Sequence, residues 1–130
     1  GPADPRATQQ QITKGAAMPS QHRKHRGYAS QRIVAEEFRK ERWIHAEPTG
    51  AGRQGTDILG VIGIDIEVKA RRGLDLTGAL NQQTDRIAPG ILPVTIIRPD
   101  GYGPARIRDW PACMKLDTLF RLLDEAGYRP

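Results

Sequence analysis

Cysteine is almost missing from this chain. Cys113 stands alone, which excludes an intrachain disulfide and weighs against a cysteine nucleophile. Histidine is scarce too, and the three present, at 22, 25 and 45, are scattered without the spacing of a zinc site. Trp43, Trp110 and Tyr102 are too few and too dispersed to form a base-stacking platform, and core or interface packing is the expected role of the two tryptophans. No apolar run approaches the roughly 20 residues that cross a bilayer, and the N-terminus has no hydrophobic leader; the expectation is a cytoplasmic protein without a membrane partner. Acidic residues are in deficit. Lys and Arg number 20 against 15 Asp and Glu, a formal charge of +5, and that imbalance favours polyanions such as nucleic acid or an acidic membrane surface.

What is present fits one domain. The 130 residues suffice for a single core, while 38% apolar content with 14 glycines and 10 prolines leaves room for turns and unfolded chain. Residues 1–25 are polar, lack hydrophobic periodicity and end in a basic cluster, so they read as a flexible basic arm before a folded domain at 26–130. From Tyr28 to Trp43, Ile33, Val34 and Phe38 recur at helical spacing. "EPTGAGRQG" then makes a loop. "TDILGV" and "IDIEVKA" read as two strands of a tight hairpin turning at Ile62 and Gly63. "LTGALNQQTDRI" reads as a helix, "LPVTIIRP" as a strand and "ARIRDW" as a last strand. A C-terminal helix follows with a stripe of Leu116, Leu119, Phe120 and Leu123, an N-cap near Asp117 and a stop at Gly127. The order α, β, β, α, β, β, α predicts an α/β fold with a central mixed sheet flanked by helices.

The chemistry concentrates in "GTDILGVIGIDIEVKARR", Gly55 to Arg72. In the second strand Ile64, Ile66, Val68 and Ala70 alternate with Asp65, Glu67, Lys69 and Arg71, so one face is apolar and the other charged. A solvated outer face is the commonest reason for such a pattern. Asp57 weakens that reading, because a hairpin brings it beside Glu67 and two converging carboxylates repel. A divalent cation resolves the repulsion: Mg²⁺ takes one or two carboxylates, waters and a substrate phosphate. Lys69, on the face of Glu67, is placed to orient or deprotonate a water and to offset charge on a phosphorane.

Asp57 followed by Glu67-Val68-Lys69 resembles the PD-(D/E)XK nuclease signature, with Thr56 where the formal motif has proline. Within that superfamily the chain is most similar, over about Arg26 to Arg98, to the small Holliday junction resolvases of archaea and phages. The resemblance implies a restriction-endonuclease-like core and a structure-selective DNA endonuclease in a bacterial, archaeal or phage-infected cell. It implies Asp57 and Glu67 as ligands of Mg²⁺, for which Mn²⁺ substitutes, and Lys69 as base or electrostatic stabiliser. Gln31 stands where the family often has a first-helix glutamate, and Gln82 where relatives carry a glutamine on the helix after the Glu-x-Lys strand. Arg23, Lys24, Arg26, Arg71 and Arg72 are the expected DNA phosphate contacts. Four-way junctions as substrate and a homodimer with two active sites are implied as well. The alternatives are a restriction-like or repair nuclease acting on duplex or single-stranded DNA, and a catalytically silent DNA-binding module of the same fold.

Overall fold

The computed structural model describes residues 17–50 and 55–130, with side chains from residue 27 onward. Its first element, α1 (Ala17–Glu41), begins well before the Tyr28 expected from periodicity, so the last part of the anticipated arm is helical and residues 1–16 lie outside the described residues. The extension needs no apolar stripe. Gln, Arg, Lys and Ala are good helix formers, and Pro19 sits in the first turn, where its missing N–H costs no helical bond. Ser30, Gln31, Val34 and Ala35 form the buried face, while the helix ends where Arg39 Nη1 donates to Ala46 O at 2.6 Å.

Two short strands follow, β1 (Glu47–Pro48) and β2 (Ile58–Leu59), paired antiparallel with Glu47 opposite Leu59. The main sheet is mixed and, among the described residues, three-stranded. β3 (Ile64–Lys69) pairs parallel with β4 (Leu92–Ile97), which pairs antiparallel with β5 (Ala112–Cys113). The connection from β3 to β4 is α2 (Leu76–Arg86), as a parallel pair requires a crossover. Asp75 caps α2 by accepting the Gly78 N–H at 3.0 Å.

The expected hairpin ladder is not formed. The chain does reverse across Gly60 and Gly63, both at positive φ, but β2 pairs with β1, and β3 uses its ladder for β4. The reason lies at Asp57: its N–H reaches Ile66 O at 2.7 Å, while its carbonyl turns away to accept from Thr49 N–H at 3.0 Å, so pairing with β3 stops there. Gly60 is needed at this reversal, with φ 84° and a position where an added Cβ would lie 2.2 Å from His45 O. Gly60→Ala is expected to cost more than about 2 kcal/mol. Urea denaturation measures it, and a smaller loss would mean the turn relaxes.

The core lies between β3, β4 and α1 and contains Val34, Ile58, Val61, Ile66, Val68, Val94, Ile96 and Trp110. Burying Ile66 and Val68 on this side leaves Asp65, Glu67 and Lys69 on the other, as alternation demands. That second face is not solvated along its length. α2 covers it through Ala79, Leu80 and Gln83, and Asp65 and Thr95 are buried beneath.

"ARIRDW" is not a strand. Pro104–Asp109 forms a 3₁₀ helix opened by a proline, with Arg106 stacked on Tyr102 at 3.8 Å, and the last strand falls just after it in β5. α3 (Leu116–Glu125) has Lys115 at its N-cap position with no side-chain cap bond; Asp117, expected near the cap, lies inside the first turn, where its charge favours the helix N-terminus, and Gly127 at φ 87° closes the helix as expected. Only its Thr118 edge is buried; Leu116 and Phe120, read as part of an apolar stripe, are 63% and 58% exposed.

Candidate active site

Thr56 and Asp57 are fastened to the edge of β3 that faces away from β4. The Thr56 hydroxyl accepts the Ile66 N–H at 2.9 Å and donates to Ile58 O at 3.0 Å. A proline here would have no such hydroxyl, so threonine does more than fill a turn. The next free N–H on that edge belongs to Val68, and Asp57 Oδ2 accepts it at 2.8 Å. Since Val68 lies between Glu67 and Lys69, this single bond brings Asp57 into the electrostatic reach of both. Asp57 and Glu67 lie within electrostatic reach of each other, through a side chain standing in for a strand carbonyl.

Burial pushes the Asp57 carboxyl up to about 6 from an ordinary 3.8. The negative charge of Glu67 adds to the rise, and the Val68 N–H, Lys69 and Arg86 oppose it. Glu67 is itself held by cations on both oxygens: Lys69 Nζ lies 3.4 Å from Oε1, and Arg86 Nη2 donates to Oε2 at 2.7 Å. Arg86 also donates to Asp65 Oδ2 at 2.7 Å. Burial disfavours its charge, yet the two carboxylates more than compensate and raise its pKa above the ordinary arginine range.

Below them Gln83, fully buried, donates through Nε2 to Asp65 Oδ2 at 2.9 Å, to Asp65 O at 3.0 Å and to Val94 O at 3.1 Å, and accepts from Thr95 Oγ1 at 2.7 Å. Asp65, Gln83 and Arg86 were not anticipated as site residues. Their signal was present: Gln83 and Arg86 sit three apart on α2, the spacing of one helix face, and Asp65 and Glu67 share a strand face.

The other expected residues are distributed unevenly. Gln31 is buried, but its Oε1 accepts from Gly50 N–H at 3.3 Å; it braces the residue after Thr49, whose N–H holds the Asp57 carbonyl, and has no bond to a site carboxylate. Gln82 is exposed and lines a cavity of about 110 Å³ with Lys69 and Arg71. Arg71 and Arg72 are exposed beyond β3, with Arg72 paired to Asp100. The side chains of Arg23, Lys24 and Arg26 lie outside those described.

Among the described residues no cluster of three or more histidine, cysteine or acidic side chains is positioned to hold a metal. The pair Asp57 and Glu67 fits a narrower demand. Both offer hard oxygens, Asp57 Oδ1 has no protein donor among the described residues, and the desolvated Asp57 carboxylate, unlike Glu67 with its Lys69 and Arg86 partners, gains from an added cation. That donor set suits Mg²⁺, which keeps several waters, better than an ion wanting a full protein cage. No helix among the described residues is long and apolar enough to cross a membrane. Comparison with protein-family models, curated proteins and solved structures finds no match.

Proposed function

We propose that this chain is a metal-dependent DNA endonuclease of the PD-(D/E)XK type, built on a restriction-endonuclease-like core and selective for branched DNA. The observation that carries the reading is the Val68 N–H bond to Asp57, which gathers Asp57, Glu67 and Lys69 at one edge of β3. Support for the core comes from β3 and β4 running parallel with an antiparallel β5, between α1 on one face and α2 on the other.

Asp57 and Glu67 would hold Mg²⁺, which when bound polarises the scissile phosphate and neutralises its charge. The chain's own residues do the rest. Lys69, tethered near Glu67 Oε1, presents an ammonium to the attacking water or to charge developing on the phosphorane. Gln82 and Arg71, beside Lys69 in the small cavity, are positioned to take a neighbouring phosphate oxygen. Arg86 keeps Glu67 stationary. Positive charge exceeding negative by five over the whole chain favours association with a polyanion.

The test offers a synthetic four-way junction, a flap and a linear duplex of the same sequence, with Mg²⁺ or with chelator. The expected result is Mg²⁺-dependent cleavage, strongest on the junction, at paired symmetric positions cut by a homodimer. Equal cutting of junction and duplex by a monomer would leave a general nuclease. No cutting of any substrate would defeat the enzyme and favour the silent module. Binding should also weaken steeply with salt, and Arg23→Gln with Lys24→Gln should lower the slope of log affinity on log salt by about 1 for each phosphate no longer neutralised. An unchanged slope would remove these two residues from the interface.

A further inference from the structure

We infer that Asp65 and Arg86 form a positioning pair that orients Glu67 for a divalent cation without neutralising it, an inference that rests on the nuclease reading of the site. Arg86 alone beside Glu67 would be a competitor, since a guanidinium at 2.7 Å from a carboxylate satisfies much of the charge a metal would seek. Asp65 changes that balance. The same Nη2 is shared between Asp65 Oδ2 and Glu67 Oε2, each at 2.7 Å, so the guanidinium already has a counter-charge in Asp65 and its positive charge is divided between the two carboxylates.

Asp65 is able to play this part because it cannot move away. Its side chain is 7% exposed, and its Oδ2 also accepts from Gln83, which is locked in turn by Thr95 and the Val94 carbonyl. The chain Thr95, Gln83, Asp65, Arg86, Glu67 thus runs from the buried sheet to the site with every link a hydrogen bond. It fixes Oε2 and leaves Oε1, the oxygen nearer Lys69, as the one not bonded to Arg86. Groups outside the direct ligands that orient a carboxylate set metal affinity in this way.

The experiment measures Mn²⁺ binding to the full chain by electron paramagnetic resonance of the free ion, without DNA. Wild type should bind and Asp57→Asn should not. Asp65→Asn should weaken binding about tenfold, because Arg86 then competes for Glu67 as an uncompensated cation. Adding Arg86→Gln to Asp65→Asn should return affinity to within about threefold of wild type. A pair that merely braced the fold would give the opposite, a double variant worse than the single one. Unaltered binding in Asp65→Asn, or no recovery in the double variant, overturns the pair while the Asp57→Asn control leaves the nuclease reading standing. Absence of Mn²⁺ binding in wild type overturns both. Should circular dichroism show Asp65→Asn unfolded, Arg86→Gln alone decides: binding weaker by about threefold supports the pair, because Glu67 loses its orientation, and unchanged or tighter binding defeats it.

Discussion

Asp57→Asn and Glu67→Gln are each expected to lower Mg²⁺-dependent DNA cleavage by about a thousandfold or more. Both substitutions keep the shape of the side chain. Asparagine still offers an oxygen to the Val68 N–H, so the edge of β3 should survive, and glutamine can still accept from Arg86. What is lost is the anionic oxygen, on which binding of a hard cation depends. DNA affinity should stay within about threefold of wild type, since the phosphates are held by basic side chains rather than by these acids. Lys69→Ala should cost about a hundredfold, less than loss of an acid, because it removes charge stabilisation but leaves both carboxylates in place. Single-turnover cleavage with saturating protein separates these effects from binding. Wild-type rates in both acid variants would sink the site, whatever the fold.

Much of the architecture was legible in the sequence because it depends on short-range pattern. The alternation of Ile64, Ile66 and Val68 with Asp65, Glu67 and Lys69 sets the two faces of β3, and "LPVTIIRP" is apolar enough to be the central strand β4. The partner of β3 was not legible. Two β-branched stretches separated by Ile62 and Gly63 look like a hairpin, and only long-range pairing across α2 reveals that β3 runs parallel to β4. The proximity of Asp57 to Glu67 survived this change because the chain still turns back at Gly60 and Gly63.

The network around Glu67 escaped for a different reason. A charged strand face reads as solvent-facing until the helix above it is known to carry the complementary groups, and nothing local to Arg86 shows that it reaches across to β3. Gln82 is the amide that the family resemblance points to, while its neighbour Gln83 holds the buried carboxylate. One residue of helical phase separates an exposed amide from the most densely bonded one. The start of α1 is not legible in the sequence because residues before Tyr28 lack an apolar stripe, and helix propensity without amphipathicity leaves no periodic mark.

Asp57→Asn is also expected to stabilise the metal-free protein at neutral pH, the reverse of its effect on cleavage. In the unfolded chain Asp57 titrates near its ordinary 3.8, whereas burial and the charge of Glu67 push it up to about 6 in the fold. Between these values the folded state binds more protons than the unfolded one, so this group lowers stability as pH rises from about 4, with the full penalty present above about 6. Asparagine carries no such charge. Because Asp57 is only half-buried, solvent screening reduces the penalty, and about 1–2 kcal/mol in favour of the variant at pH 7 is the expected difference. Near pH 3.5, where the carboxyl is protonated in the fold and mostly so in the unfolded chain, the two proteins should converge. Urea denaturation in the presence of chelator, at both pH values, measures the difference directly, and titration of groups that do not interact with Asp57 cancels in the comparison. Adding Mg²⁺ at pH 7 should then close the gap from the wild-type side, because an ion held by Asp57 and Glu67 stabilises wild type and not the variant. A variant less stable than wild type at both pH values would mean that the Asp57 carboxylate contributes more through its bond to Val68 than it loses by burial. The view of Asp57 as a desolvated acid awaiting a cation would then fail.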